Sequence, residues 1–483
     1  VASEVNMPNN LPPELVKLRG FLPEIVAAVR RRAPYACALV TRRGGVGVVK
    51  SPHEETVNPV PPEPGIRISA WDGAGWRSLA TDRLDDRDYL LRLARELADS
   101  LTVRDGPVPE TGPALDRHFR TAFGHDPLAV ATAERQALAN RVQAAVAARD
   151  RRVVMARAAV LANVEYRLFC DGPRLLSSEI FRSLLFAVAV AAEDGRQVEN
   201  YDFLSGPGWE ALAGADDDWS GRVADDAVAC LGAAPLAPGE YTCVLDPDIT
   251  GTLAHESFGH GCEMDTLMRG AARAAYFVGK RVGSDLVNIV DEPGRPGTNG
   301  SVFFSDDGVL AEEPVVLVRD GILQPTLMCD RYSYLLMKDR LPGLRQSASG
   351  RLESWNHPVY ARMTCTYFVP RPPQQGGMTR DEMVAATEKG VLLERLTSGM
   401  EDPLGWGVQL QVMRGREIAG GQLTGRLHYK LGVTGYVPDV LASVDAVGTE
   451  LDVSSAGSCG KGHKEWVRNS SGGPWLRCRM KLG

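Results

Sequence analysis

The chain has 483 residues, too many for one ordinary hydrophobic core, so two large domains are expected. Hydrophobic residues make up 44% and charged residues 24%, and the net charge of -7 argues against a basic face for nucleic acid. The longest apolar run, residues 184–192, falls far short of the ~18 residues a membrane span needs. The N-terminus shows no basic-then-apolar leader pattern, and the reading is of a cytosolic protein.

In chain order, residues 13–33 show helical spacing of apolar positions. YACALVTRR and GVGVVKS read as two short strands, and PVPPEPG reads as a break. IRISAWDG and GWRSLA read as a hairpin across an Asp-Gly-Ala-Gly turn. DRDYLLRLARELADSL is an amphipathic helix, and residues 132–149 form another that is rich in strong helix formers. RRVVMARAAVLAN, VEYRLFCDG and RSLLFAVAVAAEDG follow as separate strands with short turns. A helix candidate flanked by Gly, Pro and Asp clusters occupies residues 205–240. The fold class expected is α+β. A mixed α/β domain spans 1–235, and a β-rich domain spans 236–483 as a curved antiparallel sheet or partly closed barrel carrying the site helix. Its strand segments are SVFFSDDG, PVVLVRDGILQ, ARMTCTYFVP, GVQLQVMRG and REIAGGQLTG.

Nine cysteines are scattered, odd in number and without a CxxC pair, so neither a disulfide framework nor a redox or metal-storage role is expected. The sharpest local motif is His255-Glu256-Ser257-Phe258-Gly259-His260, an HExxH pattern with one residue inserted. On an ideal α-helix, residues five apart diverge by about 140° and cannot share one metal. A π-type turn closes that gap, and Gly259 leaves the backbone room for it. Taken alone, the six-residue pattern is equally compatible with two histidines on a helix and no metal.

Other candidates have blander readings. His53-Glu54-Glu55 reads as a polar loop or strand end. His357 either shapes a cleft or is structural. Cys262 packs a helix end. His463 is an exposed loop residue or supports the site from behind it. Gly460-Lys461 resembles the end of a P-loop but fails, because Gly462 replaces the Ser/Thr and Ser455 replaces the first Gly. Asn299 and Asn469 stand in N-x-S sequons, which carry no meaning in a cytosolic protein.

Three ordered segments resemble the TldD/PmbA family. TGTLAHESFGHGCEMD has the HExxxH motif followed by Gly261, with Glu263 and Asp265 close behind. GRLESWNHPVYARMTCTYFVP, residues 350–370, matches a second segment of the family, and GSCGKG, residues 457–462, matches a third. The resemblance covers nearly the whole chain and implies zinc held by His255, His260 and Cys459. Glu256 is then the general base, placed to take a proton from the attacking water. It further implies the catalytic member of a heterodimer whose TldE/PmbA-like partner lacks HExxxH. The implied substrate is a peptide or other amide taken as an extended strand, with modified peptides or natural-product precursors among the options. The competing reading is a non-catalytic scaffold or binding subunit of the same fold. The stretch after Cys459 and residues 397–420 depart from the family's usual pattern, which bears on substrate more than on metal.

Overall fold

The computed structural model describes residues 3–4, 11–454, 456–461 and 464–483. The first half is built on one eight-stranded sheet. Its spine is formed by Tyr35–Lys50, Val153–Cys170 and Arg174–Glu193, strands of 16 to 20 residues. These are longer than the sequence suggests. Tyr35–Lys50 runs unbroken through Gly44-Gly45, where two strands were expected, and Val153–Cys170 merges two more. PVPPEPG does not break the chain either, because the strand Glu55–Trp71 passes through it. The reason is positional. Residues 55–65 pair with Tyr35–Lys50 on one side only, since Trp76–Thr81 joins no earlier than Ile66. Proline lacks an N–H but costs nothing on such an edge, and the register skips from Arg43↔Glu63 to Gly45↔Val60, absorbing Pro61 and Pro62 in a bulge.

Strand alternation sorts the two faces of this sheet. Ala36, Ala38, Val40, Val48, Ala156, Ala158, Val160 and Leu168 share one face. The helices Pro13–Arg30 and Arg87–Asp99 cover one end of it, and Thr132–Ala148 and Asp217–Leu231 cover the other. The opposite face carries Tyr35, Cys37, Leu39 and Phe169, which pack against Phe304, Leu335 and Leu352 from the second half. Arg43, Glu165 and Arg167 belong to this second face, as does Arg182 through the pairing of its neighbours.

The second half is β-rich, as expected. Gly239–Leu245, Lys389–Asp402, Gly407–Ala419, Gln422–Tyr436 and Leu476–Leu482, with the short Ala446–Val447 beside the last, form one six-stranded sheet. Its ends meet where Val433 pairs with Leu482 and Thr434 with Lys481, giving a partly closed five-stranded ring. One pair in it, Gly239–Leu245 with Lys389–Asp402, is parallel. A second six-stranded sheet contains Cys365–Phe368 and Ser470–Gly473 side by side. SVFFSDDG is not a strand. It contributes only the isolated bridge Phe304↔Leu310, and its phenylalanines pack on Phe119 instead. REIAGGQLTG is a hairpin, turning at Gly420-Gly421.

The helix Pro247–Ala254 lies between the ring and the second sheet. Asp246 caps it by accepting from Ile249 N at 2.9 Å, and Pro247 occupies the first turn, where no N–H is needed. The Asp246 carboxylate also accepts from Arg395 N at 2.7 Å and that of Asp248 from Leu396 N at 3.2 Å, which ties the helix to the strand Lys389–Asp402. On its other side the helix touches Ser470–Gly473 backbone to backbone. A Cβ at Gly251 would stand 2.2 Å from Gly472 N. Among the described residues, no helix is long and apolar enough to cross a membrane.

Candidate metal centre

The Pro247–Ala254 helix does not end in a normal turn. Residues His255–Gly259 continue it as a π-helix, and a 3₁₀ turn, His260–Cys262, follows. The widened turn brings the two imidazoles onto one side, with ring centroids 5.0 Å apart and planes at 88°. Gly259 contributes in a way its flexibility alone does not suggest. A Cβ there would sit 2.0 Å from Met363 Sδ, so glycine lets the turn lie flat against the 350–370 segment.

Cys459 arrives from the far end of the chain. It sits on the strand Ser458–Lys461, which pairs with Lys464–Arg468. Its Sγ lies 3.3 Å from His255 Nε2 and 3.0 Å from His260 Nε2, and the three donor atoms all fall within 4.8 Å of one another. Tetrahedral zinc, with N at ~2.1 Å and S at ~2.3 Å, separates two such donors by roughly 3.6 Å. The two sulfur–nitrogen separations are slightly shorter, as hydrogen-bonded groups stand, and small side-chain rotations reach ligand spacing. Two imidazole nitrogens and one sulfur leave a fourth position open, so the residues present fit zinc.

The surroundings fit it as well. His260 Nδ1 lies 3.2 Å from Glu263 Oε2, which directs Nε2 toward Cys459. Glu263 is fully buried and is itself held by Arg362 Nε at 3.1 Å, Lys461 Nζ at 3.0 Å and Met363 N at 3.2 Å. Lys461 also reaches Asp265 at 2.7 Å. Burial opposes charge on Glu263, but Lys461, His260 and Arg362 together hold it well below the usual carboxylate range. On the other imidazole, Asn469 Nδ2 lies 3.1 Å from His255 Nδ1, while Asn469 Oδ1 is buried without a partner. Turning the amide over lets Oδ1 accept from Nδ1–H and commits the His255 Nε2 lone pair to the cluster. Burial would raise the Cys459 thiol, but His255 and then His260 outweigh it and bring it down to about 6. Near neutral pH the sulfur is therefore largely thiolate, the form that ligates metal.

The cluster opens into a cleft of about 850 Å³, lined also by Glu256, by residues 396–401 and by Phe186, Tyr201 and Phe203 from the first-half sheet. The Leu396–Glu401 stretch is bonded along one edge by Gly407–Ala419. Gly239–Leu245 pairs with the same long strand only at Val391–Leu393, and Asp248 and Tyr201 bond Leu396, so that among the described residues the other edge has no strand partner from Thr397 on. Glu401 lines the same cleft. Burial first, and then Glu256 and Glu263, hold its carboxyl well above the usual range, against the pull of His260.

The structure thus brings together His255, Glu256, His260 and Cys459, and it leaves Cys262, His53 and His357 apart from them. Cys262 is buried in the hydrophobic core, its thiol pushed up by burial. His53 is exposed in a bend, and Glu55 accepts from Asn140 Nδ2 at 2.9 Å and from Gln136. His357 sits in a turn outside the cleft, its N–H bonded to Ser354 O at 2.8 Å. His463, with Gly462 and Ser455, lies outside the described residues. Four supporting residues escape the sequence reading: Asn469, Arg362, Lys461 and Glu401. Lys461 is visible there only as a failed P-loop lysine, and Asn469 only as a sequon. The second sequon residue, Asn299, is buried too, and donates to Gly457 O at 2.6 Å, two residues before Cys459.

Residues 238–482 match the family described as PmbA/TldA metallopeptidase C-terminal domain. The chain is similar to the metalloprotease MJ0996 of Methanocaldococcus jannaschii, 29% identical over 61% of this chain and 62% of that one. It is also similar to a zinc metalloprotease TldD homolog of Saccharolobus solfataricus, 28% identical over 52% of this chain and 53% of that one. The matches therefore span less than two thirds of these relatives. In fold it is similar to TldE from Thermococcus kodakarensis, with a TM-score of 0.73 at 13% identity, covering 95% of this chain and 99% of that one.

Proposed function

The chain belongs to the PmbA/TldD metallopeptidase family, and from that premise we propose that it is a zinc-dependent hydrolase of peptide or other amide bonds. His255, His260 and Cys459 hold the metal, and Glu256 is the general base. The observation that carries this reading is the meeting of three donor atoms from opposite ends of the second half, with a carboxylate beside them, at the wall of a large cleft. Zinc held there supplies a Lewis acid that polarises the scissile carbonyl and eases ionisation of water. Glu256, adjacent to His255 and lining the cleft, accepts the proton of the attacking water and returns one to the leaving amine. Glu263 and Asn469 fix the two imidazoles, so the donor set is organised before substrate arrives.

The open edge of Thr397–Glu401 supports an extended substrate. A peptide laid along it satisfies backbone groups on both chains without regard to sequence, while Phe186, Tyr201 and Phe203 offer an apolar wall. Modified peptides and natural-product precursors fit the same description. The fold likeness to TldE motivates the partner: we take this chain as the motif-bearing member of a heterodimer with a TldE/PmbA-like subunit lacking HExxxH. Nine unpaired cysteines suit a reducing cytosol. Because the fold is shared with TldE, architecture alone does not separate this reading from a scaffold; the intact His255, Glu256, His260 and Cys459 set favours the enzyme. The test is a Glu256→Gln variant purified with its partner. The reading expects bound zinc and abolished amide hydrolysis, and unchanged turnover would reject Glu256 as the base.

A further inference from the structure

Behind the strands that carry Cys459 lies a second cavity, of about 280 Å³, distinct from the catalytic cleft though sharing Ser458 and Trp466 with it. Arg43, Glu165, Arg351 and Arg468 line it. Alternation along the first-half strands puts Arg43, Glu165, Arg167 and Arg182 on the one sheet face turned toward the second half, which supplies Arg351 and Arg468.

The charges in this cluster do not balance. Glu165 alone takes three guanidiniums, Arg43 at 3.1 Å, Arg167 at 2.8 Å and Arg182 at 3.3 Å. Asp306 takes Arg167 again, at 3.1 Å. Among the described residues, Arg351 and Arg468 have no carboxylate within ion-pair distance. Arg351 donates to the carbonyls of Met363 and Arg468, and Arg468 donates to Asn299 Oδ1 at 3.4 Å. Arg351 is 4% exposed and its Nε is buried with no partner. Glu353 is close by: its carbonyl accepts from Arg43 and its carboxylate from Trp466 N. Even counting it, five guanidiniums face three carboxylates among the described residues.

Buried cations without counter-ions are costly, and a fold that keeps two beside a cavity is prepared for an anion. A single oxyanion needs far less than this volume, so several waters, at about 30 Å³ each, fit beside it. We propose that this cavity binds one carboxylate or phosphate group through Arg351, Arg468 and Arg43. The cost of crowding these guanidiniums shows in the protein's own groups. Burial, reinforced by neighbouring guanidiniums and only partly relieved by Glu165 and Asp306, pulls Arg182 down to about 9 and Arg351 down to about 10. The bound group would brace the strands that present Cys459 while touching none of the metal donors.

The inference concerns occupancy, not hydrolysis, so it stands or falls separately from the metallopeptidase reading. The test is calorimetric titration of the full chain with inorganic phosphate, and with a short peptide in free-acid and C-terminally amidated forms. Saturable binding of at least one probe is expected, weakened tenfold or more in Arg468→Gln, a variant at the cavity's accessible side that leaves the buried Arg351 in place. Preference for the free acid over the amide, competed by phosphate, identifies a substrate carboxylate as the occupant. Phosphate binding with no such preference identifies a free anion. Absence of saturable binding by every probe overturns the proposal. Binding that is unchanged in Arg468→Gln also overturns it, marking an adventitious ion only.

Discussion

Two buried charge clusters sit on either side of the Cys459 strand, and they are built differently. Around the metal donors the cations are matched: Lys461 and Arg362 sit on Glu263, Lys461 also on Asp265, and His260 Nδ1 lies against Glu263. What is left over there is acidic or bears lone pairs: the carboxyls of Glu256 and Glu401, two imidazole nitrogens and a sulfur, the equipment of a site for a cation. The arginine cluster has the reverse imbalance, with donors and positive charge in excess. In both places what the protein leaves unsatisfied specifies what it is fitted to bind, and ion pairing by itself says little about stability or function.

Four changes break or sharpen that contrast. Glu256→Gln should cost about 10²–10⁴-fold in turnover with zinc retained, read by amide hydrolysis alongside elemental analysis. Glu165→Gln should destabilise by about 3–5 kcal/mol, because it releases three guanidiniums from one buried carboxylate. The same residue sets an acid limb. Burial alone would raise Glu165, but Arg167, Arg43 and Arg182 hold it well below its usual 4.5. Its stabilisation is therefore complete above pH 4.5 and is lost as pH falls below that toward the folded value. Acid unfolding of the wild type should be steeper than that of Glu165→Gln, and equal slopes would place the acid sensitivity elsewhere. Glu263→Gln should weaken zinc binding by about 10–100-fold, measured by competition with a chelator, since His260 loses the carboxylate that orients it. Gly259→Ala should cost about 1–3 kcal/mol in thermal unfolding, as the new methyl meets Met363 Sδ. Combined with Met363→Ala it should cost less than the sum of the two single changes.

Much of this was legible in the sequence, and the rest was hidden for physical reasons. The helices at residues 13–33 and 132–149, the Trp76–Thr81 hairpin and the partly closed β-rich ring follow from periodicity and turn chemistry. The i, i+5 spacing of His255 and His260 asks for a π turn, and one is present. The long strands were cut too short, because Gly44-Gly45 and the Pro59–Pro64 run carry breaker signals that edge pairing and a bulge neutralise. The meeting of His255 with Cys459 spans 204 residues, and no local pattern encodes it; only the ordered resemblance pointed there. Asn469, Arg362 and Lys461 were missed because a supporting residue has no spacing rule of its own. The arginine cluster was missed for a similar reason: its members are far apart in sequence and converge only when two halves of the molecule stack.

The most direct test of the central claim is metal content by elemental analysis of the wild type and of Cys459→Ser, each purified with and without a co-expressed motif-less partner. The account predicts close to one zinc per chain in the wild type and clear loss in Cys459→Ser. Absence of zinc from the paired wild-type protein, or full zinc in Cys459→Ser, would contradict it.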